Sequence, residues 1–170
     1  MAGHNSIKMT ELALLYENMG FKNVVTHIQS GNVVFKTEKA LTESAMALKI
    51  EVEIRRRFNY DIPVMIRTSF ELRQIISSNP FLNEQNFDPS KMAVLFLHDK
   101  PADSQIQKVS DVSYPPDKFA IIEREIFIYC PNGFGKTKLY TNFFEKKMEV
   151  TGTARNWKTI TTILHIAERS

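Results

Sequence analysis

The residues with the clearest chemical capacity lie late in the chain, between Lys136 and Lys158. Within 133–158 there are six cations, Lys136, Lys138, Lys146, Lys147, Arg155 and Lys158, against Glu145 and Glu149. Such a surplus draws anions, and Arg and Lys beside an aromatic ring are a common way to hold a phosphate next to a stacked base. The single tryptophan, Trp157, stands between Arg155-Asn156 and Lys158. We therefore take Lys136, Lys138, Arg155, Asn156, Trp157 and Lys158 as the candidate anion-binding residues. Helical spacing aligns Trp157 with Ile160, Leu164 and Ala167, which predicts a ring at least half buried. Arg155 and Lys158 are expected to project to solvent beside the loop of Lys136 and Lys138. Thr151 and Thr153 are expected to cap the helix.

Other chemistries find less support. "NGFGKTKL" contains Gly-Lys-Thr, but a phosphate loop needs a glycine five residues before Gly135, and Cys130 stands there. His4, His27, His98 and His165 are far apart and adjoin no cysteine cluster, so no metal site is predicted. Glu123 and Glu125 are the ordinary charged residues of a hairpin end. No nucleophile, base and orienting group come together, and neither a catalytic residue nor a cofactor is assigned.

Several elements must position these residues. "KMTELALLYENMGF" has the apolar spacing of a helix, with Thr10 as cap and Gly20 placed to end it. "NVVTHIQSGNVVFKT" reads as two strands joined through Ser30-Gly31-Asn32. A helix capped by Thr42 follows, with Ala47, Ile50, Ile54 and Phe58 on one face, and then a short strand, "IPVMIRT". Thr68 and Glu71 form a capping box for the next helix, which stops at Asn79-Pro80. After a polar stretch come an apolar strand "KMAVLFL", a short helix "PADSQIQKVSDV", two strands in "KFAIIEREIFIYC", a helix "KTKLYTNFFEKKMEV" and a last helix "ARNWKTITTILHIAE".

This order predicts an α+β fold of two tandem ferredoxin-like (βαββαβ) halves followed by a C-terminal helix, the first half lacking its opening strand. The expected boundaries are 1–78 for the first half, 79–90 for a linker, 91–150 for the second half and 151–170 for the helix. A missing central strand leaves amides and carbonyls unpaired on both neighbours. The first half is therefore expected to take a strand from outside its own residues, favouring a homodimer or a swap; the alternative is that "PVMIRT" and "NVVFKT" shift to close the gap directly.

Residues 1–90 hold 10 Lys/Arg and 10 Asp/Glu, whereas 91–170 hold 12 and 9, so the whole net charge of +3 lies in the second half. Cys130 is the only cysteine, which excludes an internal disulfide and suits a reducing cytoplasm. No stretch of the 170 residues has the length and apolarity of a membrane span. The sequence favours a cytoplasmic, non-enzymatic binding module for an anionic ligand, phosphate-bearing or nucleic acid. An enzyme acting on a phosphorylated metabolite between the halves, and a self-assembling structural protein, are the alternatives.

Several segments also resemble a known bacterial family. "NSIKMTEL", "GFKNVVTHIQSGNVVF", "IRTSFELRQIISSNPF", "GKTKLY" and "TGTARNWKTI" are similar to the motifs of domain of unknown function family 1697. The resemblance implies a tandem ferredoxin-like fold and no particular reaction, cofactor or catalytic residue. Thr153-Ala154 departs from the family's usual Ala-Thr-x, and "AGHN" stands where the family has an opening strand and loop.

Overall fold

Gly20 ends the first helix in the way its position predicts. At φ +93° it adopts a left-handed conformation that L side chains avoid; its amide donates to the Glu17 carbonyl at 2.9 Å and Phe21's donates to Tyr16's at 3.2 Å. These two bonds close the helix as a Schellman motif. The structure is a computed structural model describing residues 6–28 and 31–170. It begins with α1 (Met9–Asn18), β1 (Lys22–His27), β2 (Asn32–Lys36), α2 (Glu43–Phe58) and α3 (Ser69–Ser77). There follow β3 (Met92–Leu97), α4 (Asp103–Gln107), β4 (Lys118–Ile122), β5 (Glu125–Tyr129), α5 (Thr141–Met148), β6 (Gly152–Asn156) and α6 (Trp157–Arg169). The architecture is α+β with two antiparallel sheets. Two compact units are present: Met1–Ser69 with Thr162–Ser170, and Phe70–Thr161.

In the first unit β1 and β2 pair antiparallel, with Val25 opposite Val34 and His27 opposite Asn32. Of the expected turn, Ser30 lies outside the described residues. Gly31 has φ +88°, and the side-chain amide of Asn32 donates to the His27 carbonyl at 3.0 Å. Helix α1 begins one residue before the expected cap: Lys8, not Thr10, occupies the cap position. Helix α2 is capped as predicted, Thr42 accepting from the Ala45 amide at 3.1 Å. Leu12, Leu15, Tyr16, Phe21, Met46, Ile50 and Ile54 form the core, with Val33 and Phe35 of β2 against it. A strand is expected over residues 62–68, but no ladder partner for them occurs among the described residues. Ile62, Val64 and Ile66 still pack on that core with the alternation of a strand, and Glu51 accepts the Val64 amide at 2.9 Å. Apolar alternation places such a segment on a core; it does not supply the neighbour that a ladder needs.

The second unit holds a four-stranded antiparallel sheet in the order β4-β5-β3-β6. Every residue of β3 and β5 is buried, as befits the two inner strands of a sheet covered on both faces. Leu95, Leu97, Ile126, Ile128 and Cys130 face a core with Leu139, Phe144 and Met148. On the other face, Tyr129 stacks with Phe81 and Phe87 at 6.0 and 5.3 Å, and its hydroxyl accepts the Asp88 amide at 3.0 Å. Glu71 of α3 pairs with Arg124 at 2.9 Å.

Three expected boundaries shift. Residues 79–90 read as a linker from their polarity, yet they pack against β5, because Phe81 and Phe87 find Tyr129 in space. Residues 152–156 form β6, paired to β3 from Gly152 opposite Leu97 to Asn156 opposite Ala93. The second sheet therefore extends past 150, and the final helix starts at Trp157 rather than 151. Without β6, one edge of the wholly buried β3 would keep unmet hydrogen-bonding groups. Helix α5 starts at Thr141, five residues later than expected, because Thr137 is held by Asp117 and by the Leu139 amide in a non-helical turn.

Candidate anion-binding site

Asn156 has the side chain of a good helix cap, and it serves as one: its Oδ1 accepts the Thr159 amide at 2.8 Å at the start of α6. That bond replaces the expected caps at Thr151 and Thr153, since Thr153 lies within β6. Trp157 follows in the first turn of α6 and is 7% exposed, with Ile160 at 1% beside it in the buried set. The ring is an anchor, and it does not offer the stacking face that an exposed tryptophan would.

Arg155 departs from expectation. It is half-buried rather than projecting into water, and its Nη1 donates to Thr153 Oγ1 at 2.6 Å and to the Ala154 carbonyl at 2.8 Å. Burial lowers its pKa, while the Tyr140 hydroxyl acts in the opposite direction. The cause is the pleat of β6. Gly152 and Ala154 lie beside Leu97 and Leu95, so Thr153 and Arg155 take the opposite side, beside Phe96 and Val94. Sequence periodicity places Arg155 on a helix, where no such side is defined.

The loop before α5 carries the other two lysines. Lys136 and Lys138 are exposed, as is Lys158 on α6. Lys138 Nζ stands 5.4 Å from the centre of the Tyr114 ring, a cation–π contact. Two residues beyond, Tyr140 is 39% exposed, lies 5.4 Å from the Phe134 ring and is raised in pKa chiefly by burial. The positive charge of Arg155 acts against that burial and lowers the Tyr140 pKa. Sequence reasoning misses Tyr140, Tyr114 and Phe134; the available signal is an aromatic two residues after Lys138.

Beneath the loop runs a chain of polar groups. The Cys130 thiol donates to Thr137 Oγ1 at 3.4 Å, and the Thr137 hydroxyl donates to Asp117 Oδ2 at 2.7 Å. Burial pushes the Cys130 thiol up in pKa, so it is held as a fully covered neutral group that braces the loop. Among the described residues no three of His, Cys, Asp and Glu gather as metal ligands. None of the described helices is long and apolar enough to cross a membrane.

Comparison with known proteins agrees with this architecture. The chain is similar to the conserved bacterial protein SP0830 from Streptococcus pneumoniae, whose solved structure matches with a TM-score of 0.75 over 98% of this chain and 92% of that one. The two are 19% identical, so the likeness is one of fold. No curated protein matches the chain. The model of a family described as protein of unknown function, DUF1697, matches residues 1–127, well over half of the 170 residues. The chain belongs to the DUF1697 family.

Proposed function

We propose that the protein is a cytoplasmic, non-enzymatic binding module for a phosphate-bearing anion, free or within a nucleic acid. The binding surface is made by Lys136, Lys138, Arg155, Asn156 and Lys158, with Tyr140 as the accessible ring and Trp157 as the anchor that holds β6 and α6 in place. The carrying observation is the half-buried guanidinium of Arg155, fixed on β6 by its bonds to Thr153 Oγ1 and the Ala154 carbonyl. A partly desolvated cation gains more from an incoming anion than a fully hydrated one does. Three exposed lysines on the adjoining loop and helix add long-range attraction.

Each half is read as ferredoxin-like. The second supports this by its βαββαβ order and its antiparallel strand order β4-β5-β3-β6. In the first, β2 and residues 62–66 lie on the same core, and one further strand between them would complete the pattern. A strand supplied by a second copy, giving a homodimer, is the corresponding reading of that half. The wholly buried inner strands of the second sheet argue against base stacking on its face, since Val94 and Phe127 are 0% exposed.

The test is titration with inorganic pyrophosphate and with a single-stranded oligonucleotide at two salt concentrations, following the fluorescence of Trp157 and electrophoretic mobility. Binding that Lys136→Ala and Lys158→Ala each weaken is expected, with the salt slope falling by about one for each phosphate no longer neutralised. Unchanged binding in both variants, or no binding of either probe at low salt, overturns the proposal.

A further inference from the structure

Lysines of the second unit are of two kinds. Lys100, Lys108 and Lys118 each pair with a glutamate, respectively Glu123, Glu149 and Glu84. Lys136 and Lys138 form no ion pair among the described residues. Burial alternates along their loop: Thr137 is half-buried and Leu139 fully buried, whereas Lys136, Lys138 and Tyr140 are exposed. The inward residues are anchored, Thr137 by its bond to Asp117 and Leu139 in the core beneath the sheet. The outward residues therefore stand in a fixed order of cation, cation and ring. Phe134 backs the Tyr140 ring at 5.4 Å and leaves 39% of the residue to water. Lys138 Nζ is held 5.4 Å from the centre of the Tyr114 ring, which itself meets Phe143 edge-on at 6.2 Å. A ring and a cation placed this way lose little freedom when a ligand arrives.

We propose, resting on the anion-binding reading of this surface, that its ligand is a nucleotide unit, with the base stacked on Tyr140 and the phosphates on Lys138 and Lys136. Inorganic phosphate or a sugar phosphate would satisfy the lysines and leave the ring in water. An acidic peptide carries its carboxylates on flexible stems, with no ring at a fixed distance from them. A nucleotide joins a flat ring and an anion in one covalent unit, and stacking on a tyrosine tolerates any base. Free nucleotides and single-stranded nucleic acid share this chemistry.

Titration calorimetry with pyrophosphate, ADP and an oligodeoxyadenylate strand tests it on the wild type, Tyr140→Leu and Tyr140→Phe. ADP carries no more negative charge than pyrophosphate, so a preference for it comes from the nucleoside. The wild type and Tyr140→Phe are expected to bind ADP about 5- to 150-fold more tightly than pyrophosphate, the range for stacking one base. Tyr140→Leu is expected to lose that preference and to keep its pyrophosphate affinity. A strand that binds more tightly than ADP makes the single strand the source, and one that binds no more tightly makes it the free nucleotide; either supports the proposal. Equal wild-type affinities for ADP and pyrophosphate overturn the proposal and leave the anion site standing. A preference that persists in Tyr140→Leu also overturns it, because another group then holds the base. No binding of any probe at low salt overturns the anion site and the proposal together. The wild-type comparison uses no variant, so the test holds even where Tyr140→Leu fails to fold.

Discussion

Gly152→Ala adds one methyl group at a place with no room for it. Gly152 opens β6 opposite Leu97, and a Cβ there would sit 2.8 Å from the Phe96 carbonyl oxygen, 2.9 Å from Leu95 Cδ1 and 3.1 Å from Leu97 Cδ2. The nearest atom belongs to the backbone of a fully buried inner strand, so relief requires β6 to move away from β3. Overpacking of this kind costs about 1–3 kcal/mol. Replacing glycine also removes freedom from the unfolded chain, which returns about 0.4–1 kcal/mol when the backbone angles suit alanine. The net expectation is a loss of about 1–2 kcal/mol, or about 2–8 °C in the melting temperature of a chain this long. Gly135→Ala is the matched control, because a Cβ there meets nothing within 4 Å. It should leave stability unchanged or raise it by up to about 1 kcal/mol. Thermal unfolding followed by Trp157 fluorescence reports the second unit, to which both glycines belong. Gly152→Ala melting at or above the wild-type temperature would refute the close-approach argument and the β6–β3 register with it.

Trp157→Ala should lower stability by about 3–5 kcal/mol, as large aromatic deletions from cores do, and iodide should quench the wild-type ring poorly in the absence of ligand. Asn156→Ala should cost about 0.5–2 kcal/mol through loss of the α6 cap, while Asn156→Asp keeps the acceptor and most of the stability; denaturant melts separate the two. Gly20→Ala forces a side chain into φ +93° and should destabilise the first unit, measured as earlier loss of helical circular dichroism. The Lys108 ammonium, 2.6 Å from Glu149, holds that carboxyl below its ordinary pKa. The stabilisation from this pair is present above the ordinary carboxylate range and is lost as pH falls through the depressed value. Lys108→Met should move the Glu149 titration upward in a carboxyl NMR experiment, and an unmoved titration would remove Lys108 as the cause.

Local features with local causes were legible in the sequence. Gly20 ends α1 and Thr42 caps α2 because each acts on amides or carbonyls within a few residues. The β4–β5 turn was readable for the same reason, with Glu123 taking the positive φ between two apolar runs. Trp157's burial followed from its spacing with Ile160, a property of one helix face. Partners distant along the chain decided the rest. "GTARN" has no strand signature of its own and becomes β6 only because β3, about 60 residues earlier, presents an open edge to it. That pairing turns Arg155 from a solvent-facing helical cation into a half-buried strand residue bonded to Thr153. Phe81 and Phe87 stop looking like linker residues once Tyr129 stands against them. Sequence specifies what a few neighbouring residues can satisfy among themselves; hydrogen-bonding edges and apolar faces are satisfied across space, and only the tertiary structure names those partners.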